Sequence, residues 1–438
     1  MPRASRAISW VKDVLGLFQP AWTSEPPIPV LETIARVHLS IAKDVPCVVS
    51  FFAQGGFNKL YTIDVSGRTY LIRVALPVEP RLKTLSEVST IDFVRTHATE
   101  LIPRVIAYKA EITVADEDGL GFEWMIMEKI PGEVLENRWN SIDWEAKVLL
   151  VKTLVGVLAK LFGHPMSGIG NLYYSDSSFE VGQIVSMAFF WENHFDQDVP
   201  RGPFRSSYDW LRAHLTFVLN DSAAILNRPI IEGEDSEEDE EEREAAERYQ
   251  TLANRLISLL PRIFSVLPDD APSEMTMIHH DDISFHNLLV DDAGRLTGIL
   301  DWECVSALPV WRGCTFPSFL SGPPRDEKPD VAGFIPDDDN PGKPPRLYFE
   351  HLREWEQTQL RQVFLDEMQR LQPDWVRAYR ESAIKNDFCN AVLYCDVPFR
   401  NRYVRLWLDR VELMTDEELR GGPGEGYLPL EYERWLPM

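Results

Sequence analysis

His280-Asp281-Asp282-Ile283-Ser284-Phe285-His286-Asn287, followed after two short apolar runs by Leu300-Asp301-Trp302-Glu303, decides the reading of this 438-residue chain. Asp282 and Asn287, five positions apart, span a tight loop in which the carboxylate can face an acceptor hydroxyl and the amide oxygen a metal ion. Leu288-Leu289-Val290 and Leu296-Thr297-Gly298-Ile299-Leu300 flank the turn Asp291-Asp292-Ala293-Gly294. That pattern predicts a β-hairpin that brings Asp301 back beside Asn287. Mg²⁺ takes oxygen ligands, usually one or two carboxylates plus phosphates, so Asn287 and Asp301 offer suitable chemistry. A polar turn with capping carboxylates would explain Asp282 alone, but not the spacing, the hairpin and the second Asp together.

At these residues the sequence resembles the aminoglycoside phosphotransferase (APH) family, also called choline-kinase-like. The family signature is H-x-D-x-x-x-x-N followed by an apolar-D-W-[DE] segment, matched here by His280, Asp282, Asn287 and Asp301-Trp302-Glu303. The resemblance implies an α+β, protein-kinase-like two-lobed fold, with a small antiparallel β-rich N-lobe and a larger, mainly helical C-lobe. It also implies ATP and Mg²⁺ as cofactors, Asp282 as catalytic base, and Asn287 with Asp301 as metal ligands. His280 joins Asp282 in the catalytic set as a brace of the loop rather than a proton carrier. Asp281 departs from the family, which commonly has Gly there. The resemblance runs from about residue 48 to about 320, and the overall pattern is similar to that of fungal APH-domain proteins.

From about residue 48 to 130 the chain reads as the nucleotide-binding lobe. Gly55, Gly56 and Asn58 lie between two apolar segments, and Ser66-Gly67-Arg68 turns into a further strand, Thr69 to Val74. Glycines without Cβ atoms let backbone N–H groups approach phosphate oxygens, although an ordinary tight turn needs the same residues. By the resemblance, Arg73 is the cation that grips the phosphates and Glu87 its partner. Thr84-Leu85-Ser86-Glu87 also fits a capping box, which would turn Glu87 to a backbone N–H instead. Two more strands, Pro103 to Tyr108 and Phe122 to Met127, are expected around a polar turn at Asp116-Glu117-Asp118. Glu128 to Gly132 then forms the hinge, where the fold places Glu128 and Ile130 against adenine.

Residues 131–438 read as the C-lobe. Ser141 or Asp143 caps a helix whose stripe Val148, Val151, Leu154, Leu158 and Leu161 is core. Tyr348 to Leu371 is a long amphipathic helix, Trp375, Trp407 and Trp435 are expected to pack, and Pro317 to Pro345 reads as a surface loop. Glu232 to Arg248 holds eleven acids against two arginines, so a disordered insertion is expected, with Ser236 a candidate phosphorylation site. Residues 1–47 read as a helical extension. Ile8, Val11, Val14, Leu15 and Phe18 recur at helical spacing behind Arg3 and Arg6, so a packed helix, an interfacial helix or a mitochondrial presequence all fit.

Composition narrows the function. The formal charge of −25 argues against a nucleic-acid partner. No apolar run reaches the length of a membrane span. Five cysteines without a CxxC pair favour a reducing compartment, the cytoplasm, over a disulfide framework or zinc site. His279, His280 and His286 would suit a transition-metal hydrolase, but consecutive histidines alternate in direction and no H-x-x-x-H pair is present. The expected function is an ATP- and Mg²⁺-dependent phosphotransferase acting on a hydroxyl of a small molecule; the alternative is a non-catalytic nucleotide-binding scaffold on the same fold. Acceptor and oligomeric state are not encoded at this level.

Overall fold

The computed structural model describes residues 8–13, 18–112, 119–175, 178–229, 237–335, 344–422, 424 and 427–430. The chain opens with an antiparallel hairpin, β1 (Ile8–Lys12) and β2 (Phe18–Trp22), followed by helix α1 (Ile28–His38). The helix expected over Ile8, Val11 and Phe18 is thus replaced by paired strands, with Lys12 opposite Phe18. Ile8 and Trp10 pack with Trp22, Phe57 and Phe190, so tertiary packing of aromatic and β-branched residues overrides a weak helical period. Val14 and Leu15 lie outside the described residues.

The N-lobe consists of β3 (Cys47–Gln54), β4 (Asn58–Val65), β5 (Arg68–Ala75), α2 (Leu82–His97), β6 (Val105–Lys109) and β7 (Glu123–Glu128). Its antiparallel sheet runs β3-β4-β5-β7-β6. Side chains alternate across a strand, and β7 shows the consequence. Trp124 and Ile126 join Leu31, Ile34 and Ala35 of α1, whereas Met125 and Met127 join Val88, Ile91 and Val94 of α2. The turn at Asp116–Asp118 lies outside the described residues.

The C-lobe begins with β8 (Glu133–Val134), α3 (Leu135–Arg138) and α4 (Trp144–Phe162), then β9 (Met166–Ser167), β10 (Gly170–Ser175), β11 (Ser178–Val181) and α5 (Met187–Phe190). Asp143 caps α4, accepting from the Ala146 N–H at 2.7 Å, and Val151, Leu154 and Leu161 are buried. Helices α6 (Ser207–Leu226) and α7 (Glu237–Ile263) pack on each other. The acidic run is therefore not a disordered insertion from Glu237 onward. Glu237, Glu240, Glu241, Glu244 and Glu247 are exposed on α7, whose apolar stripe, Leu252, Leu256, Leu259, Leu260 and Ile263, is buried. Residues 230–236, with Ser236, lie outside the described residues.

Next come β12 (Met275–His279), β13 (Leu288–Val290), β14 (Leu296–Ile299), β15 (Ser306–Pro309) and α8 (Val310–Gly313). The remainder is helical: α9 (Arg346–Leu371), α10 (Pro373–Glu381), α11 (Ala383–Tyr394), α12 (Asn401–Val411) and α13 (Asp416–Arg420). The 317–345 stretch is mostly loop, with residues 336–343 outside the described residues. Trp375 and Trp407 are buried; Trp435 is outside the described residues. Strands β12 and β15 lie inside the sheet β11-β10-β15-β12-β9, while β14-β13-β8 form a second sheet. The 280–287 loop runs from one sheet to the other. No helix among the described residues is long and apolar enough to cross a membrane.

Candidate active site

The 280–287 loop is tied down at several points. Asn287 accepts at its carbonyl from Leu300 N–H (2.8 Å), Ile283 from Phe319 N–H (3.0 Å) and Phe285 from Glu136 N–H (3.1 Å). His280 is buried against Trp302, ring centroids 4.8 Å apart. Its Nε2–H donates to the Leu300 carbonyl (2.9 Å), which leaves Nδ1 to accept from Asp282 N–H (3.3 Å). Burial lowers the pKa of this imidazole and keeps it neutral. With both nitrogens engaged, His280 ties the loop to the Leu300 carbonyl.

Asp282 is exposed, and its carboxylate accepts from Asn287 Nδ2 at 2.8 Å. The same amide donates to the Asp282 carbonyl at 2.9 Å, so Asn287 is oriented with its oxygen turned elsewhere. The hairpin β13–β14 pairs Leu288 with Ile299 and returns the chain to Asp301. There the backbone bends twice through left-handed conformations, at Asp301 (φ +62°) and Cys304 (φ +59°), which side chains other than Gly adopt at a cost. Between the bends Trp302 enters the core, 2% exposed, and donates to the Ile299 carbonyl at 3.0 Å. Asp301 and Glu303 are left facing the cleft between the lobes.

Two cations, with a carboxylate that pairs one of them, and an amide come from the N-lobe side to meet these acids. Arg73 on β5 pairs with Glu87 on α2, so Glu87 does not close a capping box; α2 has no side-chain cap. Lys83, one helical turn before Glu87, pairs with Glu303 at 2.6 Å and donates to Asn58 Oδ1 at 3.3 Å. Asn58 Nδ2 donates to Glu303 at 2.8 Å. Protein packed around Asp301, together with the neighbouring Glu303 carboxylate, raises the Asp301 pKa to about 6 against the opposing pull of Arg73 and Lys83. Burial alone would raise Glu303 as well, but Lys83, Arg73 and the hydrogen bonds from Lys83 and Asn58 outweigh it and lower its pKa.

The donor set fits Mg²⁺. Among the described residues, neither the Asp301 carboxylate nor Asn287 Oδ1 accepts a hydrogen bond, so two hard oxygen donors remain for a cation that ordinarily completes its shell with phosphates and waters. No group of three or more His, Cys, Asp or Glu among the described residues is arranged to hold a metal.

The remaining expected site residues divide into two groups. Gly55 and Gly56 have open space where a Cβ would stand, as a roof approached by a ligand requires. Phe52 in that roof lies under the Lys129 ammonium of the hinge, 5.0 Å from the ring centroid. The Ile130 N–H has no partner among the described residues. The Glu128 N–H, by contrast, is committed to the Arg104 carbonyl at 3.0 Å and its carboxylate to the Arg104 guanidinium at 2.9 Å, so only its carbonyl could serve a base. Asn58 likewise faces Glu303 and Lys83 rather than the open roof. Lys83 and the partnership of Glu303 were missed at the level of sequence. The signal was present in the four-residue spacing of Lys83 and Glu87, which sets both on one face of α2.

A family model described as the phosphotransferase enzyme family (APH) matches residues 48–311. The chain belongs to this phosphotransferase family. Its two-lobed, protein-kinase-like fold, with an antiparallel β-rich N-lobe and a mainly helical C-lobe, is the family's. A subtelomeric hrmA-associated cluster protein of Aspergillus fumigatus is 24% identical over 332 residues, 66% of this chain and 64% of that protein. Altered inheritance of mitochondria protein 9 of Komagataella phaffii is 22% identical over 325 residues, 64% of this chain and 50% of its own length. The chain therefore spans less than two thirds of either relative. Among solved phosphotransferase structures, the gentamicin complex of APH(2")-IIa is 13% identical with a TM-score of 0.44, covering 91% of this chain and 99% of that one. The ternary complex of APH(4)-Ia with AMP-PNP and hygromycin B is 14% identical with a TM-score of 0.40 over 91% and 99%.

Proposed function

We propose that this phosphotransferase-family chain transfers the terminal phosphoryl group of ATP, with Mg²⁺, to a hydroxyl of a small molecule. The observation that carries the reading is the convergence of Asp282, Asn287 and Asp301 at one end of the hairpin, opposite the cation Arg73 across the cleft. Asn287 and Asp301 would hold Mg²⁺, which when bound neutralises charge on the phosphates. Arg73, oriented by Glu87, offers its guanidinium to phosphate oxygens, and Gly55 with Gly56 lets backbone N–H groups approach them. The carbonyl of Glu128 and the N–H of Ile130 face the base. Asp282, held by Asn287, orients the acceptor hydroxyl and takes its proton. Positioning and charge neutralisation supply most of the acceleration in such transfers.

The non-catalytic reading draws on Asp281, which adds a carboxylate beside the proposed base. Thermal-shift titration with ATP and with ATP plus Mg²⁺, on the parent and on Asp301→Ala, tests the nucleotide and metal site that the proposal needs, and consumption of ATP by the parent against Asp301→Ala separates catalysis from a nucleotide-binding scaffold. A ligand that binds only the native state raises its melting temperature. A Mg²⁺-dependent rise lost in the variant is expected; no rise at millimolar nucleotide would sink the phosphotransferase proposal. For location, a cytoplasmic protein remains the proposal, and the mitochondrial name of the Komagataella phaffii relative supports the alternative. Fractionation of tagged full-length protein decides between them.

A further inference from the structure

On the C-lobe side of the 280–287 loop lies a cavity of about 550 Å³, within the range of small-molecule sites. It is walled by the loop, by residues 312–321 and by α10 and α11, and it reaches Asp281, next to Asp282. Arg312 lines it and is half-buried. Its Nη1 donates to Asn386 Oδ1 at 3.2 Å and to Asn390 Oδ1 at 3.0 Å. These amides aim the guanidinium but cancel none of its charge, and among the described residues no carboxylate pairs with it. Its field reaches buried neighbours: burial first, and then the positive charge of Arg312 among others, lowers the pKa of His279 and His214.

The other charges in the cavity set its polarity. Arg380 adds a second cation. Asp387 lines the wall, its carboxylate held in place by the Tyr427 hydroxyl (2.6 Å) and the Leu430 N–H (3.1 Å), neutral donors that leave its charge intact. The Ser318 hydroxyl, also in the wall, is buried without a hydrogen-bond partner among the described residues. The carboxylates in the lining are Asp387 and, at the end adjoining Asp282, Asp281. A cationic acceptor would meet Arg312 and Arg380, whereas an anionic group would give the unpaired guanidinium the forked partner that its geometry favours. Carboxylates at the catalytic end would repel that group and so fix the direction of entry.

We infer that this cavity is the acceptor site of the proposed reaction and that the acceptor carries an anionic group, a carboxylate or a phosphate, seated on Arg312 with its hydroxyl towards Asp282. The inference rests on the phosphotransferase reading. In the transfer, the acceptor oxygen bonds to the terminal phosphorus of ATP, the bond from that phosphorus to the bridging oxygen breaks, ADP leaves, and the hydroxyl proton passes to Asp282.

The test is thermal shift with four probes at matched ionic strength: L-malate, glycerol 3-phosphate, glycerol and choline. AMP-PNP with Mg²⁺ is kept saturating so that cations in the cleft are occupied, and the proteins are the parent, Arg312→Gln and Arg312→Lys. At least one anionic probe is expected to raise the parent's melting temperature, with the rise lost in Arg312→Gln and partly kept in Arg312→Lys. Malate against glycerol 3-phosphate tells carboxylate from phosphate. A rise with choline equal to that with the anions, a rise unchanged in Arg312→Gln, or no rise with either anion would overturn the inference. The shift from AMP-PNP and Mg²⁺ alone, measured in every variant, reports that each is folded. If that shift is present while the anions are silent, the acceptor inference fails and the phosphotransferase proposal stands; if it is absent from the parent, the proposal itself fails.

Discussion

Lys83 is 2% exposed and faces Glu303 across the boundary between the lobes, with Asn58 bonded to both. Removing one member of a buried ion pair strands the other, at a cost of about 3–5 kcal/mol, whereas replacing both with apolar groups often costs little. Lys83→Met is therefore expected to lower the urea midpoint strongly, and Lys83→Met combined with Glu303→Leu to recover much of the loss; additive losses would show that the two do not act as a pair. Asp301 supports a second prediction. Asn tolerates the left-handed backbone at this position but carries no charge, so Asp301→Asn should keep the far-ultraviolet spectrum while phosphoryl transfer falls by about a thousandfold or more. Asp282, Asn287 and Asp301 were legible in the sequence because their spacing is chemical. Lys83 was not, because a lysine in a helix is ordinarily solvated and only its partner, 220 positions away, marks it otherwise.

The hinge and the hairpin β13–β14 meet through two glycines. A Cβ on Gly132, whose φ is +132°, would stand 2.5 Å from Thr297 Oγ1, and one on Gly298 would stand 3.1 Å from Ile130. Gly132→Ala combines backbone strain with a steric clash and should cost about 2 kcal/mol, measured by urea unfolding with an unchanged slope. Strands and hairpin in the N-lobe and around the 280–303 motif were readable because alternation and turn chemistry are local. The β1–β2 hairpin was not, since Ile8, Val11 and Phe18 satisfy a helical count as well as a strand, and Phe190, in the cluster that Ile8 and Trp10 join, lies far along the chain. Helix α7 misled for a different reason: its first turns are nearly all acid, and the buried stripe that holds it begins only near Ala246. Arg243, donating to the carbonyls of Leu226 and Arg228 at the end of α6, adds an anchor that charge counting hides.

Across the molecule, buried histidines tie stability to pH. His214, packed on Phe189 and Trp210, has its pKa lowered to about 3 by burial and by the charges of His194 and Arg312. The unfolded chain takes up a proton at this residue below about pH 6.5 while the folded chain does not, so its contribution is intact above that pH and is lost as pH falls towards 3. Between pH 7 and pH 5 the loss should be about 2 kcal/mol. In His214→Gln the fall in unfolding free energy over that interval should be smaller by about this amount; an identical fall in both proteins would contradict the assignment. The N-terminal hairpin raises a question of access. By packing Trp10 against Trp191 while Phe57 meets Phe190, it rivets the roof of the cleft to the opposite lobe, beside the Lys83–Glu303 bond. A jaw fastened on that side cannot gape to exchange its contents. Traffic would depend instead on the roof strip at Gly55-Gly56 lifting like a flap, and hydrogen exchange should find that strip quick to open and the riveted side slow.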